Sequence, residues 1–240
     1  MKLMIKNMIS LFSRNNTDDS SPENKSDTSV IVSGYIRPDG DEAHQATMPR
    51  NLKCKQAGII YADIADYNQL AEQGEEGAHL CLVECMRIMK AHIAANNGTV
   101  AHFAGDAILA EFNDADSALH CAINVHLAIR QRNANSHPDQ QLLLRIGISF
   151  GDVIADKDDF YGNAAYLAAR LERLASSKGI CVSESVIQEL DDHGPLSFVA
   201  IGKQYVKNIS TPVNVFWIEI DTPHYLESSL ADAEKISVVA

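Results

Sequence analysis

The sequence predicts an α+β fold with a ferredoxin-like βαββαβ core, extended by C-terminal strands and helices. Three observations predict this fold. A buried strand is followed by a long helical pattern, two short strands are joined by the dipeptide Gly105-Asp106, and a second helical pattern leads into another strand. With 46% hydrophobic residues in 240, the chain can bury one sizeable core.

The order of elements follows from the spacing of apolar residues. Residues 58–64 form an apolar run typical of a buried strand, and apolar side chains then recur at helical spacing from Tyr67 to Ile93. The run Asn96-Asn97-Gly98 ends this helix. The elements predicted after it are a hairpin with strands over 99–104 and 107–112, a helix over 116–130, a strand over 142–150, helices over 163–175 and 184–190, and a final strand over 213–220.

The two ends of the chain differ from this domain, which is predicted to span residues 57–222. Residues 1–14 carry several apolar side chains with basic residues between and beyond them, a pattern typical of a short amphipathic helix. Such a helix touches a membrane surface or a partner, or packs on its own domain, and it is too short to span a bilayer. Residues 15–50 are polar and without periodicity, which predicts a disordered linker, and residues 223–240 are predicted to be a loose tail.

Charge and cysteine content exclude some classes of protein. A formal charge of −12 argues against a non-specific nucleic-acid binder, which needs a basic surface. The five cysteines are scattered, odd in number and form no CxxC pair. We interpret them as small core residues in a reducing compartment, which indicates a cytoplasmic protein.

Two carboxylates fall at strand ends. Asp63 ends an apolar strand just before a helix, and Asp106 lies at the tip of the predicted hairpin. Asp106 alone is weak evidence, because aspartate is common in turns and the tightest hairpin turns prefer Asp or Asn before Gly. Together, two carboxylates at adjacent strand ends can hold a divalent cation.

Several motifs in order resemble the catalytic domain of class III adenylate and guanylate cyclases. They are strand-ending Asp63, the Gly-Asp hairpin at Asp106, the segments RIGISFGDVIADKDDFYGN and AAYLAARLERLA, and the closing segment YVKNISTPVNVFWI. The resemblance covers about Ala57 to Ile220. It implies an enzyme that converts a nucleoside triphosphate into a 3′,5′-cyclic monophosphate and pyrophosphate, with two Mg²⁺ or Mn²⁺ ions at each site.

The resemblance also implies roles for individual residues. Asp63, Asp106 and the backbone carbonyl of Ile64 match the metal ligands of the family. Arg170 matches the arginine that stabilises the transition state, a role suited to an always-charged planar fork. In this family the metal aspartates come from one protomer and the arginine and base-reading residues from the other, which implies a head-to-tail homodimer.

Other positions are implied to bind the nucleotide. A helix begins just after Asp63, and its first residues, Ala65, Asp66 and Tyr67, are implied to lie at the triphosphate. Asp159 matches the residue that accepts a hydrogen bond from the adenine amino group. A phosphate-binding lysine of the family falls at Ile209, and the nearby Lys207 is the candidate to substitute for it.

The chain also departs from the family pattern. His102 stands where purine-reading members carry lysine, and an imidazole is shorter and loses its charge near pH 6.5. Tyr166 replaces an asparagine that orients the ribose. Asp66 replaces a glycine and brings negative charge near the triphosphate, and Ala107 replaces the glycine after the hairpin aspartate.

Three functions remain open at this level. The first is an active nucleotidyl cyclase, most simply an adenylate cyclase that makes cAMP in signal transduction. The second is a cyclase with another base preference, for GTP or for a pyrimidine nucleotide, as in antiphage signalling. The third is a pseudo-cyclase that keeps the fold as a dimerising or nucleotide-binding module.

Overall fold

A computed structural model describes residues 53–156, 159–176, 179–205 and 211–220. The predicted N-terminal helix, the linker, the C-terminal tail and Lys207 lie outside the described residues. Among the helices that are described, none is both long and apolar enough to cross a bilayer.

The described residues form eight strands, five α-helices and one short 3₁₀-helix. The strands are β1 (Lys53–Ile64), β2 (Thr99–Ala104), β3 (Ala107–Phe112), β4 (Leu144–Asp156), β5 (Asp159–Tyr161), β6 (Ile180–Ser183), β7 (Leu196–Gln204) and β8 (Val213–Ile220). The α-helices are α1 (Tyr67–Gln73), α2 (Glu75–Ala95), α3 (Ala115–Ala134), α4 (Asn163–Leu174) and α5 (Glu184–Glu189), and the 3₁₀-helix is Pro138–Gln140.

The strands form one sheet in the order β2-β3-β1-β4-β6-β8-β7, and β5 pairs with β4. The first four strands with their helices have the order and antiparallel pairing of a ferredoxin-like core. β6 joins β4 in parallel, and β8 and β7 continue the sheet antiparallel. The predicted fold class is confirmed.

Three predicted elements differ from the structure. The helix expected from Tyr67 onward is two helices, because Gly74 has an extended backbone with φ 164° between α1 and α2. β1 and β4 are longer than predicted, since they pair with each other from Lys53 opposite Ala155 to Ile64 opposite Leu144. Their outer parts include polar residues, which an apolar pattern does not reveal.

The two faces of the sheet carry different layers. On one face Ile60, Ala62 and Ile64 of β1 pack in the large core with α2 and α3. The other side, which we call the α4 face, carries Ile59 against alanines of α4, together with Tyr61 and Asp63. Because side chains alternate along a strand, Asp63 lies on the α4 face while its chain neighbours Ala62 and Ile64 lie in the large core.

Candidate active site

The strand register brings Asp63 and Asp106 together. Asp63 pairs with Ala107, the residue that directly follows Asp106 in the hairpin. The turn has two residues, and only Gly105 has a left-handed φ, 70°. A two-residue turn of the II′ type takes glycine at its first central position, so the order Gly-Asp suits this hairpin.

The two carboxylates interact in the way expected of a cation site. Burial, the nearby charges of Asp106 and Glu172 and a hydrogen bond with Asp106 together raise the pKa of Asp63 to about 7, against the opposing effect of Arg145. Asp63 Oδ1 is buried and has no hydrogen-bond partner. Closely placed carboxylates with a buried free oxygen fit a divalent cation.

No third acidic, histidine or cysteine side chain completes a metal cluster within the described ranges. A further protein ligand for a cation between Asp63 and Asp106 would therefore come from the backbone. The carbonyl of Ile64, at the end of β1, is adjacent in the chain to Asp63. The donor set of two carboxylates and a carbonyl consists of hard oxygens, the ligands that Mg²⁺ and Mn²⁺ prefer.

Arg145 and Glu172 belong to the same cluster, and sequence reasoning did not single them out. Arg145 Nη2 donates to Asp63 Oδ2 at 3.2 Å, and Arg145 Nε lies 2.7 Å from Glu172 Oε1. Glu172 is 3% exposed, and burial raises its pKa although Arg145 acts in the opposite direction. Burial, followed by the charge of Asp63, also raises the pKa of Tyr61 to about 12, so its phenol keeps its proton.

A β-bulge places His102 on the α4 face. The pairing of β2 with β3 shifts between Val100 and His102, so that His102 lies opposite Leu109. Without the shift, His102 would oppose Ile108, which is buried in the core on the other face. Leu109 in turn pairs with Tyr61, and directly paired residues project to the same side of a sheet. His102 is exposed there.

The backbone at Asp159 lies near the strand of His102. Asp159 begins β5, where it pairs with Asp156 of β4. Cα atoms of β5 and β2 come within 8 Å of each other. The segment that carries Asp159 is therefore close to the strand that carries His102, while the Asp159 side chain lies outside the described atoms.

Tyr166 and Arg170 lie one turn apart on α4. Their neighbours Leu167, Ala168 and Leu171 are buried, whereas Tyr166 is 46% exposed and Arg170 is half-buried. Among the described residues, the positively charged side chain that contacts Asp63 is that of Arg145.

Asp66 adopts a left-handed backbone with φ 58° and ψ 29° directly before α1. This conformation favours glycine, with aspartate and asparagine the next best tolerated. Its carboxylate makes no capping hydrogen bond and is exposed. Ala65 beside it is buried, and its N–H donates to the carbonyl of Leu143. Tyr67, the first residue of α1, packs against the large core.

The chain belongs to the family of the adenylate and guanylate cyclase catalytic domain, whose model matches residues 51–220. The prediction of a cyclase domain is thereby confirmed. Among solved structures, it is similar to an adenylate/guanylate cyclase/hydrolase from Silicibacter pomeroyi, with 33% identity and a TM-score of 0.65 over 71% of this chain and 99% of that one. The adenylyl cyclase CyaB from P. aeruginosa shares the fold at 21% identity, with a TM-score of 0.63 over 72% of this chain and 98% of that one.

Curated relatives carry cyclase names as well. The chain is 29% identical over 167 residues to a putative adenylate cyclase 3 of Rhizobium meliloti, a match that covers 69% of this chain and 28% of the relative. It is 27% identical over 151 residues to an adenylate cyclase of Streptomyces griseus, which covers 62% of this chain and 36% of the relative. The chain thus spans about a third of the length of these relatives.

Proposed function

We propose that this chain is a nucleotidyl cyclase, most simply an adenylate cyclase, that converts a nucleoside triphosphate into a 3′,5′-cyclic monophosphate and pyrophosphate. The observation that carries the proposal is the pair Asp63 and Asp106, which meet at adjacent strand ends with one buried oxygen that has no hydrogen-bond partner. Two carboxylates that lie close together destabilise the folded state, and a divalent cation bound between them removes that destabilisation.

The reaction builds negative charge at the attacking ribose 3′-oxygen, at the α-phosphoryl oxygens and at the leaving pyrophosphate. Two Mg²⁺ or Mn²⁺ ions, when bound, supply the positive charge that stabilises these atoms. Asp63, Asp106 and the carbonyl of Ile64 would hold them. Arg170 would add a fixed planar cation at the phosphoryl oxygens, and the chain at Ala65 to Tyr67, with Lys207, would bind the triphosphate.

A head-to-tail homodimer completes the site in this proposal. Arg170 lies on the side of α4 that faces away from the sheet, next to the exposed Tyr166. The α4 face exposes further large apolar side chains at Val199 and Trp217, which are 38% and 42% exposed, and the Trp217 indole donates to the carbonyl of Leu174 at the end of α4. Large apolar side chains open on the face of the site support burial against a second copy.

Base selection in this proposal involves His102 and Asp159. The bulge in β2 turns His102 onto the α4 face, and the segment of Asp159 lies near β2. A neutral imidazole offers one donor and one acceptor, whereas lysine offers donors only. This difference supports a second candidate within the same chemistry, a cyclase that prefers GTP or a pyrimidine nucleotide.

All five cysteines are free thiols, and four of them are buried. Buried free thiols support the proposed cytoplasmic location, since a reducing compartment keeps them unpaired.

The test is an incubation of purified protein with ATP, GTP, CTP and UTP separately, in Mg²⁺ and in Mn²⁺, with cyclic monophosphates identified by mass spectrometry. We expect one dominant cyclic product and none from Asp106→Ala, with the circular dichroism of that variant unchanged. Turnover retained in Asp106→Ala would remove the two-metal assignment. A folded dimer that makes no cyclic product from any triphosphate would instead support a nucleotide-binding module, which the exposed Tyr166 and the charge at Asp66 favour.

A further inference from the structure

A cavity of about 530 Å³ lies between the C-terminal half of α3 and the chain that leads into β4. Cavities of about 300–1,000 Å³ with mostly apolar walls are typical of binding sites for small organic molecules. The wall residue Leu144 packs in the large core, on the side of the sheet that carries α2 and α3. Asp63 lies on the α4 face, so the cavity is separate from the proposed nucleotide site.

The cavity has an apolar floor and a polar rim. Ile129, Leu142 and Leu144 line it and are buried, so they form the floor. Arg130 and Gln141 also line it and are exposed, which places them at the rim. A molecule bound here would bury an apolar body against the floor and keep one end beside the guanidinium.

Arg130 supplies the positive charge of the rim. The imidazole of His126, which also lines the cavity, donates from Nε2 to the carbonyl of Gly179 at 3.3 Å. Burial lowers the pKa of His126 to about 4, so it is neutral at pH 7, whereas a guanidinium stays charged and has five N–H donors. In a chain with a formal charge of −12, this local cation favours an anion at the rim.

The wall of the cavity continues to the chain beside Asp63. The Asn133 side chain donates to the carbonyl of Leu142 at 2.6 Å and accepts from its N–H at 2.9 Å, which fixes this segment to α3. The next carbonyl, that of Leu143, accepts from the N–H of Ala65 at 2.8 Å. One short segment therefore contacts both the cavity and the start of the proposed triphosphate site.

We propose that this cavity is a regulatory site for a small organic anion with an apolar body, and that its occupancy tightens triphosphate binding. The anionic group lies at Arg130, and the apolar body packs against Leu142 and Leu144. That packing stabilises the segment in the position in which Leu143 holds Ala65, and two ligands that stabilise one conformation favour each other's binding. The regulatory effect rests on the proposed function, whereas binding of the anion does not.

The first test measures binding with two fluorescent probes of nearly the same shape. The probe 8-anilinonaphthalene-1-sulfonate carries an anionic sulfonate, and N-phenyl-1-naphthylamine has the same ring system without it. Fluorescence titration of the full chain is carried out without nucleotide or metal. The sulfonate probe should bind more tightly than the uncharged one.

Variants locate the bound probe. Arg130→Gln should weaken binding of the sulfonate probe about 10-fold and leave the uncharged probe unchanged, since only the former loses a hydrogen bond between charged groups. Ala134→Trp should weaken both, because Ala134 is exposed at the rim and an indole there fills the opening. Arg87→Gln is the matched control: Arg87 is exposed on α2, one turn from the exposed Val83, and its loss should affect neither probe.

Equal losses in Arg130→Gln and Arg87→Gln, or no loss in a folded Ala134→Trp, would place the probe elsewhere and overturn the proposal. An equal effect of Arg130→Gln on both probes would show that the cavity does not select an anion. Circular dichroism checks that each variant is folded, and if Ala134→Trp is not, the comparison of the two arginine variants decides.

The second test measures the coupling without turnover. An ATP analogue with a methylene group between the α- and β-phosphorus cannot release pyrophosphate. With Mn²⁺, this analogue should lower the dissociation constant of the sulfonate probe at least about 5-fold, and the probe should lower that of the analogue by the same factor. Weaker binding of the probe would indicate competition for one site, and unchanged binding would remove the regulatory role.

Calorimetry measures binding of the analogue by itself. An analogue that does not bind would contradict the proposed adenylate cyclase, and the regulatory effect on ATP would fail with it. The two probes and the arginine variants then still decide whether the cavity binds an anion.

Discussion

The carbonyl oxygen of Ala168 on α4 lies only 2.1 Å from the position that a β-carbon on Gly147 would occupy. The backbone nitrogen of Glu172 lies 2.3 Å from the same position. Both obstacles are backbone atoms, so α4 can lie this close to β4 only because residue 147 has no side chain. This close packing brings Glu172 to Arg145.

Gly147→Ala should therefore push α4 away from the sheet. We expect a loss of about 2–3 kcal/mol in the free energy of unfolding, typical of overpacking against a rigid neighbour. Urea unfolding followed by circular dichroism measures it. Gly77→Ala is the control, because nothing lies within 4 Å of its added β-carbon in α2, and it should stabilise by about 0.5–1 kcal/mol. Equal effects of the two changes would contradict the packing argument.

The raised pKa of Asp63 predicts how stability depends on pH without metal. Its pKa rises from 3.8 to about 7 on folding, so the folded state holds the proton more tightly. The resulting stabilisation is complete below about pH 4 and is lost as the pH rises towards 7. One pKa unit corresponds to about 1.4 kcal/mol.

Asp63→Asn should remove this dependence and, in EDTA at pH 8, raise the unfolding free energy by about 1–2 kcal/mol. Saturating MnCl₂ should stabilise the unmodified protein more at pH 8 than at pH 5 and should not stabilise the variant. Thermal unfolding across that pH range in EDTA and in MnCl₂ checks both expectations. An equal effect of Mn²⁺ on the two proteins would exclude Asp63 as a ligand.

His126 predicts an opposite pH effect, independent of catalysis. It is 6% exposed, and its Nε2 lies 3.3 Å from the carbonyl of Gly179, to which it donates. Burial lowers its pKa from 6.5 to about 4, so the unfolded chain binds a proton more readily. Stability from this group is present above pH 6.5 and is lost as the pH falls towards 4.

His126→Gln can still donate to Gly179 but cannot take up a proton. We expect the difference in unfolding free energy between the two proteins to change by about 2–3 kcal/mol between pH 7 and pH 4, in favour of the variant at low pH. Because the titration of Asp63 is common to both proteins, it cancels in the difference. A pH-independent difference would mean that His126 titrates normally in the folded state.

The fold was predictable because the spacing of apolar residues marks the strands and helices that bury them. The pair Asp63 and Asp106 was predictable because each aspartate lies at the end of a predicted strand. Arg145 and Glu172 escaped notice because each is a single charged residue in a segment with ordinary strand or helix periodicity. One signal was available: Arg145 alternates with the buried Ile146 and therefore faces the side of Asp63. The burial of Glu172 depends on how closely α4 approaches β4, which local sequence does not encode.

The bulge in β2 was not predictable either, because no glycine or proline marks it at Ala101. It arises from the pairing with β3 and decides which face His102 occupies. If His102 contacts the base, His102→Lys should raise kcat/KM for ATP relative to the other triphosphates about 10-fold, since a bidentate or charged contact typically contributes 1–3 kcal/mol. Competition between triphosphates, read by mass spectrometry, measures the ratio.

Phe103→Leu is the control for that substitution, because Phe103 points to the other side of the hairpin, where the ammonium of Lys90 lies 4.5 Å from its ring centre. It should leave the preference among triphosphates unchanged. An unchanged preference in His102→Lys would remove His102 from base recognition.

Asp66 combines a left-handed backbone with an exposed carboxylate beside the proposed triphosphate site. Asp66→Asn removes the charge and keeps a side chain that tolerates this conformation, whereas Asp66→Gly removes the charge and the conformational strain together. Both should lower KM for the triphosphate several-fold, because a like charge near a polyanion weakens its binding at moderate ionic strength.

The two variants of Asp66 are also compared by their free energy of unfolding. Asp66→Asn should leave the free energy of unfolding nearly unchanged. Asp66→Gly should change it by less than about 1 kcal/mol, since relief of strain is offset by the greater freedom of the unfolded chain. Initial rates at two salt concentrations, with thermal unfolding alongside, measure both effects. If the charge of Asp66 is the cause, the decrease in KM of both variants should be smaller at high salt. A KM that changes only in Asp66→Gly would assign the effect to backbone conformation instead.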